Sequence, residues 1–317
     1  MNGQKNNRKV SIIGCGYVGS TIAYALMMKE LVDEIVLIDI NKEITNAETL
    51  DIRHGIPYMG LCNIHSGYYS DITDSDLIVI TAGRNRKPNE SRLDLAADNV
   101  KTAKSVCNEL SKYYNTGVIL VVSNPVDIIT AKVTEWLKLP KGVVFGTGCI
   151  LDSSRFTNVI ADYLKLNSEI VNAQIIGEHG ASQIAMWSKV TIAGMPISEY
   201  CRSIGYKFNQ EVKEEIERKV MSMGTDIIKG KGRTHYGIAT CVCYIADAIL
   251  TKRATIVSVS SVLNGEYGIN GVALSVPSIV TSNGIERTLA DYIDDEEYKK
   301  IKSSYRILSN VLGSLGD

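Results

Sequence analysis

The strongest constraint in this sequence is a rhythm. Between residues 10 and 150, the short runs KVSIIG, EIVLID, DLIVITAG, GVILVVSN and VVFGTG each end at Gly, Asp or Asn, and longer helical patterns fill most of the gaps. The apolarity of the runs is continuous rather than alternating. A strand with one face in water alternates, whereas a strand covered by helices on both faces has no need to. The rhythm therefore predicts a parallel, doubly wound α/β sheet.

Beyond about residue 150 the rhythm changes. ILDSSRFTNVIADYLKL reads as an amphipathic helix opened by an Asp or Ser cap, followed by shorter strand-like pieces in IVNAQIIGEHG and AMWSKVTIAG. Helices are expected over 208–229 and 235–250, and YKKIKSSYRILSNVL closes the chain as a helix. ATIVSVSSVLNG and GVALSVPSIV, separated by a Gly-rich turn, look antiparallel. The pattern divides the chain into a first domain, 1–148, and an α+β second domain, 149–317. No repeat, low-complexity stretch or Pro-rich linker intervenes, so the halves are expected to pack as one unit.

Within the first run lies a more specific signal. Gly14-x-Gly16-x-x-Gly19 follows KVSII directly and opens YVGSTIAYALMM. Gly14 permits the tight turn, Gly16 removes a Cβ that would bar a pyrophosphate, and Gly19 lets helix and strand approach. Phosphates would rest on the helix N-terminus, drawn by its free N–H groups and dipole. Asp39 closes EIVLID, 20 residues past Gly19. Its carboxylate can accept hydrogen bonds from both ribose hydroxyls and would repel a 2′-phosphate, so a Rossmann-type domain that takes NAD rather than NADP is expected.

Composition closes off other classes. Lys plus Arg is 34 and Asp plus Glu is 35, a balance that argues against nucleic acid and against a polybasic membrane surface as partners. No apolar run approaches the roughly 20 residues needed to span a bilayer. The first residues, MNGQKNNRKV, lead into a strand rather than an apolar signal segment, and a cytoplasmic location is expected. Seven scattered cysteines, with no C-x-x-C pair, suggest neither a disulfide framework nor a metal site.

Four further segments fall at strand ends or helix starts, where an open α/β sheet binds its ligands: TAGRNRKPNESRLDL, SNPVD, LDSSRF and IGEHG. Hydride transfer to a carbonyl carbon needs an acid to protonate the developing alkoxide, and histidine is the usual choice near neutral pH. His54, His65 and His235 have no supporting motif and read as surface or packing residues. His179 lies between two glycines at the end of an apolar run. Asp152 and Arg155, three apart, point in similar directions from one helix. The carboxylate can hold the imidazole in one tautomer, and Arg155 can grip a substrate carboxylate with two parallel bonds.

In this order and spacing, GCGYVGS, LIDI, TAGxxxKPxESRLDL, SNPVDI, GTGxxLDSSRF and GEHG closely resemble the L-lactate/malate dehydrogenase family, from Lys9 to the C-terminal helix. The resemblance implies an NAD-dependent L-2-hydroxy acid dehydrogenase with His179 as acid and base, Asp152 as its partner, Arg155 as the carboxylate clamp and Arg92 as the group that polarises the carbonyl when the loop 84–94 closes. It implies substrate contacts at Asn124 and Thr234, and cofactor contacts at Tyr17, Val18, Tyr69, Ala82, Gly83, Asn99, Ser123 and Ile238 beside the three glycines and Asp39. A homotetramer or dimer is expected on the same ground. A non-catalytic NAD-binding protein on this fold would lack at least one of His179, Asp152, Arg155 and Arg92.

At the family's substrate-selecting position, six residues before Arg92, lactate enzymes usually have Gln and malate enzymes Arg; here it is Arg86. Arg86 can pair with a second substrate carboxylate, whereas Glu90, the LDL that follows Arg92, and Thr234 resemble the lactate pattern. The expected reaction is pyruvate to L-lactate, with oxaloacetate to L-malate as the alternative. Many bacterial members are activated by fructose 1,6-bisphosphate through an Arg and a His. Thr157 and Asn172 occupy those places, so strong activation is not expected.

Overall fold

The computed structural model describes residues 7–84, 92–290 and 293–315. The first half runs β1 (Lys9–Ile13), α1 (Tyr17–Met28), β2 (Glu34–Ile38), α2 (Lys42–Arg53), β3 (Asn63–Ser66), β4 (Leu77–Ile80), α3 (Arg92–Tyr113), β5 (Val118–Val121), α4 (Val126–Leu137) and β6 (Val144–Gly146). Its six strands are parallel and ordered β3-β2-β1-β4-β5-β6, with the chain reversing direction across the sheet between β1 and β4. That is the doubly wound arrangement expected from the rhythm.

Both faces of this sheet are buried. Ile12, Leu77 and Val79 join one core, with residues of α1 and of a helix from the second half. Their chain neighbours Ile13, Ile78 and Ile80 join another, with α3 and α4. Successive residues of one strand enter opposite cores, so the inner strands β4 and β5 are apolar at every position.

The second half runs α5 (Ile150–Leu164), β7 (Val171–Asn172), β8 (Ile175–Gly177), β9 (Gln183–Ala185), β10 (Thr191–Ile192), β11 (Met195–Pro196), α6 (Ile197–Ser203), α7 (Gln210–Lys231), α8 (Tyr236–Leu250), β12 (Thr255–Asn264), β13 (Asn270–Thr281), β14 (Gly284–Thr288) and α9 (Asp295–Leu315). The two long alternating runs form the antiparallel pair β12 and β13. β12 meets β6 through Ser260 and Gly146, so the sheet continues from one half into the other. α8 lies back across α1 and contributes Val242, Ile245 and Ile249 to the first core.

Several expected boundaries shift, each for a local reason. α5 begins at Ile150 behind Cys149 without a side-chain cap, so Asp152 sits within its first turn instead of capping it. The Asp152 carboxylate is engaged elsewhere, as described below, and the Ser153 hydroxyl donates to the Cys149 carbonyl. α7 lies two residues later than 208–229 because Asn209 accepts the Val212 N–H at its start and Gly232, at φ +79°, stops it. β3 gave little sequence signal: in NIHS only Ile64 is buried, as suits a strand at the sheet edge.

Candidate active site

The glycine turn joins β1 to α1 at the carboxyl end of the sheet. Gly14 has φ +105°, and a Cβ there would come within 2.6 Å of the Ala82 nitrogen, so both backbone conformation and the end of β4 demand glycine. A Cβ on Gly19 would fall 1.9 Å from the Gly14 carbonyl oxygen. A Cβ on Gly16 would meet nothing within 4 Å. Gly16 also precedes α1 without a side-chain cap, so the first N–H groups of the helix face an open space the size of which a side chain would reduce. The open cradle and uncapped helix start fit a dinucleotide pyrophosphate.

Asp39 follows β2 directly. Its Oδ2 accepts the Cys15 N–H at 2.7 Å and its Oδ1 accepts the Asn41 N–H at 2.9 Å, so the carboxylate shapes the glycine turn as well as presenting its remaining lone pairs. Tyr17 opens α1 half exposed, and Val18 packs against the first core, as does Ile238 of α8. Gly83 follows β4 with φ +152°.

Three expected cofactor contacts have internal duties. The Asn99 amide accepts the Arg84 N–H and donates to the carbonyls of Arg84 and Asn124. Ser123 donates to the carbonyls of Ile80 and Ala82. Tyr69 packs, half-buried, against the second core, and burial pushes its hydroxyl up to about 12.

The catalytic group is assembled from α5 and the loop after β8. His179 Nδ1 lies 2.6 Å from Asp152 Oδ2, and Arg155 Nη1 donates to Asp152 Oδ1 at 2.9 Å. Asp152 is thus buried between two cationic partners. Burial alone would raise its pKa, but the charge and hydrogen bond of His179, then those of Arg155, hold it below the ordinary carboxylate value. Burial pulls His179 down and Arg155 opposes its charge, yet the Asp152 charge and hydrogen bond, with the charge of Asp127, raise it above the ordinary imidazole value. The side chain of His179 remains 25% exposed. Among the described residues nothing bonds Nε2, the nitrogen left for a substrate.

Asn124, joined to Pro125 by a cis peptide bond, is exposed before α4. Thr234, between α7 and α8, lines a cavity of about 360 Å³ with Ile227, Lys231 and Tyr236. Arg86 and Glu90 lie outside the described residues, and so does the side chain of Arg92, whose backbone opens α3.

The groups that hold the His179 loop come from segments far from it in the sequence. Asp127, buried on α4, accepts the His179 backbone N–H on Oδ2 at 2.7 Å and the Ser260 hydroxyl on Oδ1 at 2.6 Å. Ser304 of α9 accepts the Glu178 backbone N–H on its Oγ at 2.8 Å, while the Ser182 hydroxyl donates to the Glu178 carboxylate. SNPVD displayed Asp127; no local pattern announced Ser260 or Ser304.

A match to the model of the lactate/malate dehydrogenase NAD binding domain covers residues 8–146, and a match to that of the lactate/malate dehydrogenase alpha/beta C-terminal domain covers 149–314. The chain belongs to the lactate/malate dehydrogenase family. An L-lactate dehydrogenase of Acetivibrio thermocellus is 41% identical over 315 residues, 99% of either chain, and one of Clostridium perfringens strain SM101 is 41% identical over 98% of either. The crystal structure of the minor L-lactate dehydrogenase from Enterococcus mundtii, in the ligands-bound form, superposes with a TM-score of 0.94 at 36% identity, covering 98% of this chain and 99% of that one.

A lactate/malate dehydrogenase with this first domain binds NAD. Within it, the ligand atoms of Cys149, Asp152 and His179 lie within 4.8 Å of one another, a grouping that could in principle hold a metal ion. The groups are already committed to each other and to the backbone. Asp152 shares the His179 proton, and the Cys149 thiol, held far above its ordinary pKa by burial, points at the carbonyls of Gly177 and Glu178. A protonated thiol is a poor ligand, and the trio reads as one hydrogen-bonded array. No described helix is long and apolar enough to cross a membrane.

Proposed function

We propose that this family member interconverts pyruvate and L-lactate. The observation that carries the reading is the line Arg155–Asp152–His179, with one imidazole nitrogen fixed and the other open. NAD, when bound, gives or takes the hydride. His179 Nε2 protonates the carbonyl oxygen of pyruvate and recovers the proton from the lactate hydroxyl. Asp152 fixes the Nδ1–H tautomer and stabilises the imidazolium. Arg155 keeps guanidinium donors beyond the one spent on Asp152, and these take the substrate carboxylate.

Arg92 polarises the carbonyl, while Asn124 and Thr234 bound the substrate. Gly14, Gly16, Gly19, Tyr17 and Val18 receive the pyrophosphate, Asp39 the ribose, and Tyr69, Ala82, Gly83, Asn99, Ser123 and Ile238 line the rest of the cofactor site. The division of labour falls between 148 and 149. L-lactate dehydrogenase as the name of several relatives at about 40% identity supports pyruvate as substrate.

The second reading, oxaloacetate to L-malate, rests on Arg86. One assay separates them: kcat/KM with NADH for pyruvate and for oxaloacetate. Pyruvate is the expected preference, and a preference for oxaloacetate above about tenfold, some 1.4 kcal/mol, overturns it. The same assay run with fructose 1,6-bisphosphate tests regulation. Thr157 donates to the Ala173 carbonyl and Asn172 is a β7 residue, so neither offers a cation to a phosphate. The KM for pyruvate is expected to change less than about twofold.

A homotetramer or dimer accords with the strongly exposed Ile40, Tyr58 and Leu61. A cytoplasmic, reducing location accords with seven buried free thiols.

A further inference from the structure

Asp127 is a charged group with no part in the reaction as written, yet it is almost wholly buried at the junction of α4, β12 and the His179 loop. Each carboxylate oxygen has one donor. The His179 N–H reaches across 52 positions of sequence, and the Ser260 hydroxyl across 133. A carboxylate that only filled space would be replaced without loss by an apolar group, since an ionised group costs free energy to bury. This one accepts a backbone proton from the residue that carries the imidazole.

We infer that Asp127 is a positioning residue for the proposed reaction: its buried carboxylate ties the His179 backbone to the central sheet through Ser260, and its negative charge favours the protonated imidazole. The inference rests on the proposed role of His179 and deepens it. Asp152 orients the ring from one side, while Asp127 fixes the loop from which the ring projects. Burial pushes the Asp127 carboxyl up to about 6, opposed by the Ser260 bond, the His179 N–H and the His179 charge. The carboxylate is ionised above that value, where its charge acts on His179.

The groups bearing on Asp127 are few. From the β8 loop come His179 and Glu178, from the start of α5 the Cys149 thiol, and through the imidazole Asp152 and Arg155. β12 offers Ser260. The elements α3, α9, β5, β6 and β13, which also pack on α4, supply none of the charges acting on it most strongly.

Asp127→Asn keeps shape and an acceptor oxygen for the His179 N–H but removes the charge. Melting temperature and circular dichroism are checked first. The His179 imidazole is then titrated by NMR, and kcat and KM for pyruvate are followed against pH. The His179 midpoint and the alkaline limb of kcat/KM are expected to move together to lower pH by roughly 0.5 to 1 unit. kcat falls about tenfold and KM, set by Arg155, changes little. Ser260→Ala retains the charge and keeps the alkaline limb in place.

A His179 midpoint in Asp127→Asn within about 0.2 unit of the wild type overturns the inference. Should that variant not fold, the wild-type chain decides: the His179 backbone amide proton is expected to move upfield as pH falls through about 6, where Asp127 takes its proton, and an amide without that inflection overturns it. The NMR readouts stand whether or not pyruvate is the substrate. A chain that reduces neither pyruvate nor oxaloacetate would refute the proposed reaction and leave the Asp127 result readable.

Discussion

A single proton decides how the proposed site behaves. His179 is raised above its ordinary value, so pyruvate reduction, which needs the imidazolium, declines as pH rises through that raised value. Lactate oxidation needs the neutral ring and gains over the same interval. Asp152→Asn removes the largest opposing charge, and the crossover is expected to move to lower pH. His179→Ala is expected to lower kcat/KM by about two to four decades with NADH binding intact. Stability follows the same linkage. The His179 contribution is whole below about 6.5 and is lost as pH rises through its folded value, whereas the Asp152 contribution is whole above about 3.9 and is lost as pH falls through its lowered folded value. Equilibrium unfolding in urea across pH checks both signs. A profile of kcat/KM for pyruvate that rises through neutral pH would overturn the assignment of His179.

The turn between β1 and α1 separates binding from stability within six residues. Gly19→Ala puts a methyl group 1.9 Å from the Gly14 carbonyl oxygen and forces helix from strand, an overpacking cost of about 1 to 3 kcal/mol. Gly16→Ala puts the same group into open space beside an uncapped helix start, at φ −72° where alanine is at ease. Gly16→Ala is therefore expected to melt within about 2 °C of the wild type while binding NADH at least about tenfold more weakly. Thermal melting and NADH fluorescence titration distinguish the two variants. Equal NADH affinity for Gly16→Ala and the wild type would remove the pyrophosphate from this cradle.

Although the family models divide the chain at 146–149, the molecule's cores do not. Val10 and Leu26 share one core with Val242, Val259 and Ile285, and β6 is paired to β12. The halves are expected to unfold together as one calorimetric transition, which NADH raises as a whole. At a hundred times its Kd, NADH stabilises by about 2.7 kcal/mol. Two resolved transitions, only one of them sensitive to NADH, would show the halves to be independent.

What the sequence displayed follows from range. Buried strands, the glycine turn and the i, i+3 pair Asp152 and Arg155 are set by neighbours a few residues away, so their patterns are visible in a linear chain. The start of α5, the edge strand β3 and the hold of Asp127 and Ser260 on His179 depend on partners that arrive from distant segments. Asn99 and Ser123 show the same limit: their positions were legible, but their bonds to Arg84, Asn124 and Ala82 were not. The described cysteines bring a different consequence. Each is 8% exposed or less, and burial pushes the thiols of Cys15, Cys107 and Cys241 up to about 12. Oxidants and electrophiles attack thiolates, so the folded chain presents them no handle. Under peroxide stress these cysteines would offer no redox brake, and flux through the proposed reaction would answer to metabolite supply and to the ratio of reduced to oxidised nicotinamide.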